Sequence, residues 1–106
     1  MPESHMIPEV LNLRSLAQNN PQHNPIVGTP FGIERLKAKR QLKLDKALWL
    51  LVLEGELIID LPHGDFRILK RFDSLLIPAQ QQVLLYPVED SKHPVTVLSS
   101  QLNPIS

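Results

Sequence analysis

Four histidines, His5, His23, His63 and His93, are the only imidazoles in the sequence, and imidazole is the side chain best suited to bind a metal or accept a proton near neutral pH. They are scattered and show no ligand spacing. His63 sits in the turn LPHGD and His93 precedes Pro94, so both read as surface turn residues; His5 and His23 fall in a proline-rich N-terminal segment. No metal site is expected from them. Lys43 could act as an amine if buried, because desolvation lowers a lysine pKa, but its neighbour Asp45 favours an exposed strand position. Tyr86 could act as a general acid, yet no inward histidine is available to work with it. The tract Gln80-Gln81-Gln82 fits a polar loop, a hydrogen-bonding rim for a small ligand, or a contact with a partner protein. No Ser–His–Asp order, phosphate loop or glycine-rich cradle is present.

The elements that must position these residues are bounded by composition. A chain of 106 residues with 42% hydrophobic and 21% charged residues fits one globular domain. Eleven basic residues balance eleven acidic ones, so no electrostatic footprint for nucleic acid or an anionic membrane is expected. Without cysteine there is no disulfide, thiolate metal site or cysteine nucleophile. No apolar run is long enough to span a membrane as a helix. The start MPESHMIPEV lacks the charged-then-apolar pattern of a signal peptide, which leads to the expectation of a cytoplasmic protein.

Five of the ten prolines lie at positions 1–30, which read as an N-terminal arm packed on a main body at 31–106. Within the arm, Val10 to Gln18 fits a strand followed by a turn of helix. From Ile33 onward, short runs rich in Leu, Val and Ile alternate with turn residues, the rhythm of an all-β sandwich or barrel. Ile33 to Leu44, Leu48 to Leu53, Glu56 to Asp60, Phe66 to Arg71, Ser74 to Ile77, Val83 to Tyr86 and Val95 to Ser99 are the expected strands.

Residues VLEGELIIDLPHGDFRILKRFDSLLIPAQQQV resemble a small single-domain cupin, over roughly Ile33 to Ser99. The anchors are Leu53-Glu54-Gly55-Glu56, Asp73 and Ile77-Pro78-Ala79. The resemblance implies an all-β, double-stranded β-helix (jelly-roll barrel). It also implies where metal ligands would stand. Counting from Gly55 and Pro78, the family's two histidines and glutamate fall at Gln41, Lys43 and Leu48, and its last histidine at Val83. None of the four is a good ligand: Leu and Val have no lone pair to offer, and a charged Lys repels a cation. Two glycine positions of the motif are occupied by Phe72 and Gln80. The expectation is therefore a cupin-like barrel with no metal and no cofactor.

Alternation places Leu48, Leu50 and Val52 inward, opposite Val83 and Leu85, with Gln41, Lys43, Gln80 and Gln82 as polar handles nearer the mouth. Trp49, Leu51 and Leu53 would then point outward. That apolar outer face must be covered by the arm or by a second copy, and the resemblance implies a homodimer. Three functions fit this reading. The first is a non-catalytic homodimeric scaffold or accessory protein. The second is a binding or sensing module for a small carboxylate-bearing or amphipathic molecule. The third is a metal-independent enzyme.

Overall fold

The computed structural model describes residues 10–20, 22–88 and 94–102. Among the described residues, nine strands, one short α-helix and a 3-10 turn at Pro62–Gly64 follow each other. Helix α1 (Leu13–Asn19) is capped by Asn12, whose side chain accepts from the Ser15 amide at 2.9 Å. Strands β1 (Asn24–Pro25), β2 (Phe31–Leu36), β3 (Arg40–Lys43), β4 (Ala47–Glu54) and β5 (Leu57–Asp60) come next. They are followed by β6 (Phe66–Leu69), β7 (Ser74–Ile77), β8 (Gln82–Pro87) and β9 (Val95–Leu102).

The strands form two antiparallel sheets, in the orders β1-β2-β9-β4-β7 and β3-β8-β5-β6. Period-two alternation aims one side of each strand at the opposite sheet. Leu48, Leu50 and Val52 of β4 are buried, as are Leu57 and Ile59 of β5 and Val83 and Leu85 of β8. These residues form one continuous cluster with Leu36, Leu69, Ile77, Val95 and Val97. Each large aliphatic side chain so buried contributes roughly 1.5–3 kcal/mol, and this cluster holds the sheets together.

The segment read as one strand over Ile33 to Leu44 is broken. Lys37–Lys39 carry the chain from the first sheet to the second, between β2 and β3. Helix α1 replaces the expected strand-then-helix and packs on β2, burying Ala17 against a sheet face that also buries Ile33. Part of that outer face is thus covered from within the chain. Phe31 adds an edge-on contact to Trp49, with ring centroids 6.0 Å apart. Trp49, Leu51 and Leu53 are all half-buried. Leu53 does not share the outward alternation, because a register shift falls between Val52 and Glu54. Glu54 then occupies the outer face, accepting from Thr96 at 3.2 Å and pairing with Arg14 at 2.7 Å.

Turn geometry explains the sequence motifs. Gly55 closes the β4–β5 turn at φ 81, and a side chain there would approach the Pro94 carbonyl at 3.0 Å. Phe72 and Gln80, which occupy glycine positions of the cupin motif, adopt φ 73 and φ 65. Left-handed backbone costs a residue with a Cβ about 1–2 kcal/mol, so these two turns carry strain that a glycine would relieve.

The inward assignment makes a direct prediction. Ile59→Ala should lower stability by about 2–5 kcal/mol in denaturant unfolding, while Ile68→Ala, on the outer face of the same sheet and half exposed, should cost less than about 1 kcal/mol. Equal losses would contradict the sheet orientation.

Candidate functional site

Hydrophobic side chains fill one end of the sandwich and leave a cavity of about 650 Å³ at the other. Its size lies within the usual range for small-molecule sites. The inner walls are apolar: Leu36 from β2, Leu48 and Leu50 from β4, Leu85 from β8 and Val97 from β9. Leu42 and Leu44 close it from the side of β3. The floor is buried, whereas Thr29, Pro30, Lys43 and Gln101 at the rim are exposed.

The rim is charged. Glu34 is 9% exposed and lies on β2; Arg40 lies at the start of β3 on the opposite sheet. Arg40 Nη1 donates to Glu34 Oε2, so this ion pair ties the two sheets together across the cavity mouth. His23 Nδ1 stands 3.9 Å from Glu34 Oε1. Three features hold His23 there. Strand β1 pairs Asn24 with Ile33 and Pro25 with Gly32. The buried Asn24 amide donates to the carbonyls of Asn20 at 2.6 Å and Gln22 at 2.7 Å. Finally, the imidazole lies directly against Gly32, where any Cβ would overlap the ring.

The pocket residues expected from sequence separate into two groups. Lys43, Leu48, Leu50 and Leu85 line the cavity. Val52 and Val83 lie in the filled core, and Gln41, Gln80 and Gln82 are exposed and outside the lining. The reason is strand parity: Arg40 pairs with Leu85 and Leu42 with Val83, so Arg40 and Leu42 take the inner face and Gln41 the outer one. Gln80 instead donates its side-chain amide to the Asp45 carbonyl at 3.2 Å. Tyr86 also faces outward, 3.3 Å from both Asp60 carboxylate oxygens. Partial burial, and then the Asp60 charge, raise its pKa above the ordinary phenol value. Its hydroxyl takes no part in the cavity. His63 lies in an exposed turn, and His5 and His93 lie outside the described residues.

The cavity mouth holds ionisable groups that the sequence reading did not single out. Glu34 and Arg40 form an ion pair there, with His23 beside it. Glu34, Leu36, Arg40 and Leu42 share one parity, which was the available signal. It was obscured because His23 sits in the arm and the sheet crossing at Lys37–Lys39 was not anticipated.

No family model and no curated protein sequence matches the chain. Solved structures do match. A cupin-2 domain protein from Shewanella frigidimarina superposes with TM-score 0.65 at 15% identity, over 87% of this chain and 95% of its own. The fold is a cupin fold. An ethanolamine utilization protein Q from Salmonella typhimurium matches with TM-score 0.58 at 22% identity over 70% of this chain, which spans 58% of that protein's length. The iron(II) form of HppE in complex with substrate matches with TM-score 0.65 at 12% identity, over 76% of this chain and 53% of its own. Such identities speak for the fold alone.

A cupin-type metal does not fit these residues. Leu42 and Leu44, rather than Gln41 and Lys43, project toward the cavity from the β3 side, beside Leu48; Val83 is in the core. None of these offers a lone pair for a metal. Among the described residues no three His, Asp or Glu side chains group to hold an ion.

The mouth ion pair should be measurable. Arg40→Met leaves the Glu34 carboxylate buried and unpaired, and should destabilise the protein by about 1–3 kcal/mol in denaturant unfolding. Adding Glu34→Leu should restore part of that loss. A neutral single variant would show that the pair does not hold the sheets together.

Proposed function

We propose that the chain is a small-molecule-binding module built on a metal-free cupin barrel. One observation carries this reading: the cavity of about 650 Å³ combines an aliphatic floor with the Glu34–Arg40 pair at its mouth. Apolar walls with a few convergent polar groups are the usual make-up of a ligand site. A side-chain assembly serving only as a scaffold would be expected to fill the barrel throughout, and here a cavity remains beside the packed Val52, Leu57, Ile59 and Val83. The site is assembled from one chain, so this function does not depend on the homodimer expected from Trp49, Leu51 and Leu53.

A neutral apolar fluorophore tests the reading. N-phenyl-1-naphthylamine should bind with blue-shifted, saturable emission at one site per chain. Leu42→Trp, which places a large ring into the half-buried cavity wall, should abolish that signal while the protein stays folded by circular dichroism. No binding to the parent chain, or undiminished binding to the folded variant, would refute it.

A further inference from the structure

We infer that the free edge of β6 is a docking site for an extended acidic peptide, which adds to the second sheet as a further strand. This surface lies outside the cavity and does not depend on it. Strand β6 ends the order β3-β8-β5-β6, so its outer edge has no partner strand among the described residues. Hydrogen bonding fixes which residues face that edge. The Leu61 amide donates to the Asp65 carbonyl at 2.8 Å, which turns Asp65 toward β5. Antiparallel alternation then turns Arg67 and Leu69 toward β5, and the N–H and C=O of Phe66 and Ile68 away from it. The Phe66 carbonyl accepts from its neighbour Arg67 Nη1 at 2.7 Å, as a carbonyl on an open edge can.

The side chains select the partner. Arg67, Lys70 and Arg71 are exposed, and none has an ion-pair partner among the described residues. Of the nearby carboxylates, Asp73 is turned to the Lys70 amide at 2.9 Å. Charge alone would protect an open edge, but Phe66 and Ile68 add exposed apolar surface to it. Phe72, in the turn that follows, is 68% exposed and holds a left-handed φ of 73 that a glycine would adopt without strain. Stability favours neither feature, whereas a partner strand uses both. Its side chains would alternate, apolar ones beside Phe66 and Ile68 and acidic ones beside Arg67. A lipid surface would bury the unpaired backbone groups of the edge, and a nucleic acid has no peptide backbone to pair with them. A second copy would bring two sets of Arg67, Lys70 and Arg71 to one edge.

Fluorescence anisotropy of a labelled octapeptide of alternating Val and Asp, titrated with the full chain, tests the inference. It should bind saturably, and at least about tenfold more tightly than the Val–Lys or Ser–Asp repeat, the size of one charge-assisted or apolar contact. Ile68→Pro removes an edge N–H that β5 does not use, so the chain should stay folded by circular dichroism and lose about tenfold in affinity. Phe72→Gly should raise the denaturation midpoint while weakening the peptide, which separates docking from folding. Arg67→Glu with Arg71→Glu should reverse the preference to the Val–Lys repeat. No binding of the Val–Asp repeat, equal binding of the Val–Lys repeat, or undiminished affinity in Phe72→Gly would overturn the inference, even if Ile68→Pro fails to fold. So would tighter binding to phosphatidylserine vesicles or to oligouridylate. A dimer in sedimentation that the Phe72→Gly or Arg67→Glu/Arg71→Glu variant abolishes would assign the edge to a second copy and overturn it too.

Discussion

The ion pair between Glu34 and Arg40 joins the two sheets across the mouth of the cavity. Everything around the cavity follows from that arrangement. The chain leaves one sheet after Leu36 and enters the other at Arg40, so the pair spans the crossing at Lys37–Lys39. A nearly buried carboxylate is costly without a partner, and Arg40 supplies one while remaining partly exposed itself. His23 is the third member, pressed on Gly32 by the pairing of β1 with β2. His23, Pro25, Thr29 and Pro30 therefore form one wall of the site.

Two ends of one barrel meet different requirements. At the closed end, Leu57, Ile59 and Val52 are fully buried and the sheets are bonded by packing. At the open end a cavity remains among buried side chains of both sheets, and the Glu34–Arg40 pair bridges its mouth. Here the inward positions beside the cavity are leucines, so the interior can solvate hydrocarbon and cannot hold a cation. The few polar groups stand at the mouth, where water can still reach them.

Much of the fold was legible in the sequence. Short apolar runs between turn residues gave the strands, and β7 matches its expected range Ser74–Ile77 residue for residue. The motif anchors marked Phe72 and Gln80 as glycine positions, and the structure adds that both adopt left-handed backbone. The site was less legible. Counting along the motif set Gln41 and Lys43 inward, and a one-residue difference in strand parity exchanges inner and outer faces completely. His23 could not be found by spacing, because only the tertiary pairing of Pro25 with Gly32 carries it to Glu34. The outer faces were legible as apolar, with cover by residues 1–30 as one of two readings, and α1 from that segment packs on β2.

The most direct measurement of the central claim is a methyl-resolved NMR titration with N-phenyl-1-naphthylamine. Binding inside the barrel predicts saturable shifts at the methyl groups of Leu42, Leu48, Leu50 and Val97, while those of Ile58, Ile68 and Leu76 on the outer faces stay fixed. Shifts confined to the outer-face methyl groups, or none at all, would contradict a ligand site in the cavity.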